Sequence, residues 1–246
     1  MTAPVTTTAD YAADRANNWA AFASTTAPLP SYRENWDKRS HGWKVPIEFC
    51  QPIGLDYPGF MAPVQPLIDE LAKMEEIELF PEGHLYMTTV HVGFLKADDI
   101  MWSQVESIYV NAAPRLHRLD PFPLKIGGVS AFEDSLYFGV DDGDIIKEIR
   151  RMVRLAVPVV TLKAREDTRW GEFIPSIRFA GFTGKGSRQR VIEAVTPYLD
   201  AHLADVTVEK VKMSRVPADP QTGWGDLDVI AEIGLYGKNA RQGYHT

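Results

Sequence analysis

Two short stretches of the chain carry the side chains best suited to chemistry. In residues 89–95, Thr89 and His91 alternate with valines, and in a second stretch Ser176 and Arg178 alternate with apolar residues. Because successive side chains of a strand point to opposite faces of a sheet, each stretch is expected to present a polar pair on one face and an apolar row to the core. Two such strands lying side by side would place four polar groups on the floor of a groove.

These residue types suit the binding of an anion. The imidazole of His91 can accept or donate a proton near neutral pH, and the planar guanidinium of Arg178 matches a phosphate or a carboxylate. A single histidine supplies one proton-transfer group, whereas a reaction that needs both a general base and a general acid requires two. The set predicts a polar-ligand pocket more readily than a complete hydrolase. The alternatives are a packed His91 and a surface Arg178 paired with Glu172.

The composition is that of an ordinary globular protein, with 45% hydrophobic and 24% charged residues. A net charge of −7 argues against a long nucleic acid as partner, because affinity for the phosphate backbone comes mainly from clustered lysines and arginines. No stretch approaches the roughly 18 apolar residues of a membrane span, and no secretory leader is evident, so we expect a cytoplasmic protein without membrane association. The lone Cys50 excludes an internal disulfide and is expected to be a buried, inert thiol.

The chain is expected to divide into an N-terminal extension, residues 1–44, and one domain, residues 45–246. The extension combines a helix from residue 10 to about residue 24 with an irregular, aromatic-rich segment over residues 27–46, which wraps the domain or forms a lid. The rest alternates strands and helices in an order typical of an α+β protein. The predicted strands span residues 45–51, 84–95, 123–132, 135–140, 173–182, 206–215 and 226–235, and the predicted helices span residues 66–74, 98–113, 144–156 and 187–203.

The order of these elements predicts a pseudo-duplicated architecture. Each of the two polar strands precedes a helix and then a pair of strands, so the two are expected to meet in the middle of the molecule. Residues 81–83, residues 122–140 and residues 174–179 resemble the corresponding segments of the 2H phosphoesterase superfamily, also called the 2′-5′ RNA ligase-like or cyclic phosphodiesterase fold. The resemblance covers about residues 45–238. It implies a two-lobed α+β fold, with mixed or antiparallel sheets and flanking helices around a central groove.

Members of this family carry two His-x-Thr/Ser motifs, and this chain departs from both. In the second motif, Ser176 stands at the position of the histidine and Arg178 at that of the threonine. Two histidines serve the family as base and acid, so the resemblance predicts the fold more firmly than it predicts the chemistry.

The first motif can be aligned in two ways. Matching the family's apolar pair puts Thr89 and His91 at the motif positions, whereas matching Gly93 to the family's glycine puts Tyr86 and Thr88 there. We favour Thr89 and His91, because that face of the strand is polar and the opposite face suits the core.

The resemblance implies a protein that acts on or binds a small phosphoester, such as a cyclic nucleotide or a 2′-5′-linked oligonucleotide. The alternatives are the same fold used by a different small-molecule enzyme (an isomerase, cyclase or lyase), a ligand-binding protein, or an interaction scaffold with a vestigial groove. No metal or organic cofactor is indicated, and the oligomeric state is left open. His84 lies at an element boundary and is expected to be exposed to solvent unless it reaches the groove. The candidate catalytic residues are His91, Thr89 and Ser176, and the candidate ligand-binding residues are Arg178, Tyr86, Thr88 and His84.

Overall fold

The computed structural model describes residues 11–95, 100–156 and 174–237. Within these ranges a nine-stranded sheet runs through the molecule in the order β11-β8-β1-β3-β6-β5-β4-β7, with β2 paired to β6 beside this path. Every pairing in it is antiparallel. Its strands are β1 (Pro46–Gln51), β2 (Ile77–Leu79), β3 (Met87–Phe94), β4 (Phe122–Ala131), β5 (Ser135–Asp141), β6 (Ser176–Phe182), β7 (His202–Val208), β8 (Lys210–Arg215) and β11 (Asp228–Gly234).

Helices and one separate ribbon complete the described fold. The ribbon pairs β9 (Ala218–Asp219) with β10 (Gly223–Trp224). The α-helices are α1 (Tyr11–Ser24), α2 (Tyr32–Arg39), α3 (Ile53–Asp56), α4 (Gln65–Leu71), α5 (Trp102–Leu116), α6 (Ile145–Ala156) and α7 (Arg188–Val195), and the 3-10 turns are Ala62–Val64, Glu82–His84 and Thr196–Tyr198.

The two polar strands of the sequence analysis are the central strands of the sheet. β3 and β6 meet through one residue pair, Met87 with Ile177, and each leads outward to its own half of the sheet. Each also precedes a helix and two strands in the chain, as predicted. The predicted α+β fold class is confirmed, in the antiparallel form. The groups that could do chemistry therefore lie where the two halves join.

The segment predicted to be irregular contains a short helix, α2. The side chain of Ser31 caps it by accepting a hydrogen bond from the backbone of Glu34 at 3.3 Å. Its two buried residues, Tyr32 and Trp36, are an aromatic pair within the core. The sequence has no apolar periodicity that would predict this helix. Aromatic contacts with the rest of the protein stabilise it instead of an amphipathic face.

The predicted helix 187–203 is wrong over its second half. The α-helix ends at Val195, a 3-10 turn containing Pro197 follows, and His202 already begins β7. Proline lacks the backbone N–H that would continue the helix. The predicted strand 206–215 is likewise divided at Glu209 into β7 and β8. The predicted start of α5 falls in residues 96–99, which lie outside the described residues, and the described helix begins at Trp102.

None of the described helices is both long enough and apolar enough to cross a membrane.

Candidate functional site

The junction of β3 and β6 fixes which side chains share a face. Met87 and Ile177 are paired and fully buried, so both point to the same apolar side. Because side chains alternate along a strand, the residues flanking this pair lie on the opposite face. Those residues are Tyr86, Thr88, Ser176 and Arg178.

A β-bulge in β3 decides how the first polar stretch is arranged. Thr88 pairs with Cys50 and His91 pairs with Glu48, and the register shifts between these two pairs. Thr88 and His91 therefore share a face although they are three residues apart. Thr89 is fully buried, and its hydroxyl has no hydrogen-bond partner. The expectation that Thr89 and His91 lie together on the polar face is wrong, because the two-residue period fails across the bulge.

Glu48 of β1 ties Thr88 and His91 together. The Thr88 hydroxyl donates to Glu48 Oε2 at 2.6 Å, and His91 Nδ1 lies 3.3 Å from Glu48 Oε1. Glu48 is only 7% exposed, whereas the His91 side chain is 28% exposed. A carboxylate at Nδ1 favours the tautomer that carries its proton there, which leaves Nε2 to exchange a proton. Glu48 is not among the residues predicted for the site, because its only signal in the sequence is a lone carboxylate within an otherwise uncharged strand.

Tyr86 lies beside this pair and keeps its phenolic proton. Burial is the main cause that raises the pKa of Tyr86 well above its usual value, and the nearby Glu48 carboxylate raises it further. The Arg178 guanidinium acts in the opposite direction. Tyr86 therefore lies within electrostatic range of Glu48 on β1 and of Arg178 on β6, and its hydroxyl can donate a hydrogen bond.

The second central strand contributes Ser176 and Arg178. Ser176 is half-buried, and Arg178 is exposed. The guanidinium of Arg178 donates through Nε to Ser135 Oγ at 3.2 Å and lies 4.7 Å from the centre of the Phe132 ring. These contacts hold the planar group in place at the edge of the face, where it can meet an anion.

His84 is buried next to Tyr86. The expectation that it is exposed to solvent is therefore wrong. Its Nδ1 lies 2.7 Å from the carbonyl oxygen of Gly225, and its ring lies 5.7 Å from that of Tyr86. Burial lowers the pKa of His84, which keeps the ring neutral. It belongs to an aromatic cluster, which consists of Tyr32, Trp36, Trp43, Phe80, His84 and Trp224.

The N-terminal extension packs against the site. Tyr32 of α2 lies against Gly181 of β6, where an added Cβ would come within 2.6 Å of the tyrosine Cβ. Asn18 of α1 donates to the Tyr137 hydroxyl at 2.9 Å. Helices α1 and α2 thus cover part of the sheet next to the exposed Arg178.

Known structures share this architecture. The structure of TT0787 from Thermus thermophilus is 14% identical, with a TM-score of 0.54 over 79% of this chain and 99% of that chain. E. coli LigT with NADP+ is 10% identical, with a TM-score of 0.54 over 79% and 98%. A protein described as a phosphoesterase is 10% identical, with a TM-score of 0.55 over 78% and 98%. The chain has the 2H phosphoesterase fold. LigT structures also hold ATP, phosphate and 3′-AMP.

At these identities the likeness shows the fold alone. No protein-family model matches the chain, and no curated protein matches it in sequence.

The pairing of β3 with β6 fixes which polar residues of the two segments are neighbours. Next to the central pair, Tyr86 and Thr88 share the face of Ser176 and Arg178. His91 lies further along β3 and shares the face of Thr88 across the bulge.

Neither an exposed thiol nor a metal-binding cluster is found next to the site among the described residues. Cys50 is buried with its Sγ 3.4 Å from Ser214 Oγ, so its expected burial is confirmed. Burial raises the pKa of the thiol to about 12. Among the residues that the structure describes, no group of three or more histidine, cysteine or acidic side chains is placed to hold a metal ion.

Proposed function

We propose that the protein binds a small phosphorylated molecule, a nucleotide or a phosphoester, at the junction of β3 and β6 and transfers a proton through His91. The observation that carries this proposal is the junction of β3 and β6, which sets Thr88 beside Ser176 and Arg178 on one face. Glu48 extends this polar face along β3, because its carboxylate holds both Thr88 and His91. LigT, which shares the fold, has been solved with phosphate and with nucleotides. A ligand of that class matches the chemistry of this face.

In this proposal each group has one task. His91 Nε2 takes a proton from the attacking hydroxyl or water, and the Glu48 carboxylate stabilises the imidazolium that forms. Arg178 pairs with the phosphate oxygens through its planar fork. Tyr86 retains its proton and donates a hydrogen bond to the leaving oxygen. The leaving oxygen takes its proton from water, and the imidazolium of His91 returns its proton to the solvent. Thr88 and Ser176 donate hydrogen bonds that orient Glu48 and the ligand, respectively.

The test combines binding and turnover on the purified protein. The probes are 2′,3′-cyclic nucleotides, 2′-5′-linked dinucleotides, 3′-AMP and unphosphorylated nucleosides. We expect Arg178→Ala to weaken binding of every phosphorylated probe at least about 10-fold. We expect His91→Ala to lower turnover roughly 10²–10⁴-fold with little loss of binding. Lys73→Ala, which removes an exposed charge from the turn that follows α4, is the matched control.

A protein that binds none of the phosphorylated probes would contradict the proposal. Cleavage that persists at the wild-type rate in His91→Ala would contradict the assigned proton transfer.

The second candidate function is binding of the same class of ligand without its cleavage. Its support is that Ser176 and Arg178 stand where a 2H enzyme has its second histidine and its threonine, so the described face holds one imidazole instead of two. Binding of phosphorylated probes without turnover, lost in Arg178→Ala, would favour a ligand-binding protein or a different reaction on an anionic substrate.

A further inference from the structure

The N-terminal helix α2 brings a second arginine to the site. Arg39 is the last residue of α2, and its side chain is 45% exposed. Its Nη1 donates to Asp134 Oδ2 at 2.8 Å. Its guanidinium carbon lies 5.1 Å from the centre of the Tyr32 ring and 5.9 Å from that of Trp36. Two aromatic faces and one carboxylate thus hold the group in a fixed position.

A chain of hydrogen bonds links Arg39 to Arg178. Asp134, only 4% exposed, accepts from Arg39 through one oxygen and from the Ser135 hydroxyl through the other, the latter at 3.0 Å. The same Ser135 oxygen accepts from Arg178 Nε at 3.2 Å. Asn35 adds a bond to Asp134 at 3.2 Å. The two arginines are therefore positioned by one shared turn between β4 and β5.

The two arginines retain a net positive charge and unused N–H donors that a ligand could bind. Two guanidiniums and one carboxylate give the group of Arg39, Arg178 and Asp134 a net positive charge. A guanidinium has five N–H donors, and the hydrogen bonds to other described residues use one donor of each arginine. The remaining donors suit a group with several oxygens.

Both guanidiniums act electrostatically on Tyr32 of α2. Burial raises the pKa of Tyr32, and the two groups that lower it are Arg178 and Arg39. Glu48 acts on the same phenol. Tyr32, whose ring lies 5.1 Å from the Arg39 guanidinium, is therefore within electrostatic range of Arg178 and of Glu48.

We infer that Arg39 and Arg178 form a two-arginine clamp for a terminal phosphate, so that the site prefers a phosphomonoester dianion to a phosphodiester monoanion. The inference rests on the proposed function and narrows its ligand class. A phosphomonoester carries about two negative charges above its second pKa, near 6, and three terminal oxygens that can accept from two planar forks. A cyclic phosphodiester has one charge and fewer free oxygens. The N-terminal extension is then part of the binding site.

The test compares two nucleotides that differ at the phosphate. Dissociation constants for 3′-AMP and 2′,3′-cyclic AMP are measured by calorimetry at pH 8. We expect Arg39→Ala to weaken binding of 3′-AMP about 10- to 100-fold and that of the cyclic nucleotide by less than about 3-fold. Lys38→Ala removes a neighbouring exposed charge from the same helix and should change neither by more than about 2-fold.

A second variant guards against a folding defect. Arg39→Lys keeps the positive charge beside Asp134 but has no planar fork, so it should fold as the wild type does and still bind 3′-AMP more weakly. Circular dichroism and the melting temperature report the fold of each variant.

Three results would overturn the inference. Wild-type affinity for 3′-AMP in both Arg39 variants, together with a loss in Arg178→Ala, would leave the proposed function standing and remove the clamp. Equal losses for the two nucleotides in Arg39→Ala would remove the preference for the dianion. Failure of both nucleotides to bind the wild-type protein would contradict the clamp and the proposed function together.

Discussion

Thr88 and Thr89 are neighbours of the same type in β3, yet their hydroxyl groups meet opposite environments. That of Thr88 donates to the buried carboxylate of Glu48, and that of Thr89 is fully buried without a partner. A hydrogen bond to a charged group stabilises a protein, whereas a buried hydroxyl without a partner costs free energy. A comparison of substitutions at Thr88 and Thr89 therefore measures how much the Thr88–Glu48 hydrogen bond contributes to stability.

Valine substitutions at the two positions should have opposite effects. Thr88→Val removes a donor from Glu48 and should lower the free energy of unfolding by about 1.5–3 kcal/mol. Thr89→Val removes an unpartnered hydroxyl at nearly constant volume and should be neutral or stabilising by about 1 kcal/mol. Urea unfolding of the two variants measures both values. Equal destabilisation by the two substitutions would contradict the bulged register of β3.

Cys50 should be unreactive in the folded protein. Burial raises the pKa of its thiol to about 12, and the thiolate is the reactive form. At pH 8 the native protein should therefore label with a thiol reagent only through opening of the structure. The urea-unfolded protein should label completely, which provides the control. Rapid labelling under native conditions would show that Cys50 is accessible.

Helix α2 depends on the absence of a side chain at Gly181. An added Cβ would come within 2.6 Å of the Tyr32 Cβ, which cannot move without the helix backbone. We expect Gly181→Ala to destabilise the protein by about 1–3 kcal/mol and to speed proteolysis between residues 25 and 44. Gly225→Ala, whose added Cβ would lie 3.2 Å from Pro217, should cost less. Resistance of the N-terminal residues in Gly181→Ala would contradict the tight docking of α2.

The regular elements were predictable because their patterns are local. The apolar spacing of residues 145–156 gives α6, whose buried residues include Ile146, Ile149 and Val153. Ser176 and Arg178 share a face as the period of two predicts, because β6 is regular between them. A local pattern needs no knowledge of the rest of the molecule.

The remaining parts of the site depend on partners that are distant in the chain. The bulge that separates Thr89 from His91 arises only when β3 pairs with β1. Glu48 and Arg39 acquire their roles from contacts with His91 and Asp134, which no spacing in the sequence reveals. Side-chain alternation alone therefore did not show that Thr88, rather than Thr89, shares the carboxylate of Glu48 with His91.

His84 joins distant parts of the molecule, so its titration should affect the stability of the whole. Burial lowers its pKa from the ordinary 6.5, and its Nδ1 bonds to Gly225 beyond the ribbon of β9 and β10. Between the lowered pKa and 6.5, the unfolded chain binds a proton that the folded one does not. The stabilisation is therefore present above 6.5 and is lost as the pH falls below it.

The measurement is the free energy of unfolding from pH 7.5 down to pH 5. We expect it to fall in the wild type below about pH 6.5 and to fall less in His84→Asn, whose amide can still donate to Gly225. Parallel curves for the two proteins would show that another group titrates in this range.

The strand order has a consequence for how the chain assembles during synthesis. β1 lies near the start of the described chain, but its outer neighbour β8 and the following β11 lie near the end. The half of the sheet that holds Glu48 and His91 cannot be completed until almost the whole chain has left the ribosome. Until then one edge of β1 is unpaired, and unpaired edges invite aggregation. We therefore expect a chaperone that covers this edge during synthesis to raise the yield of folded protein.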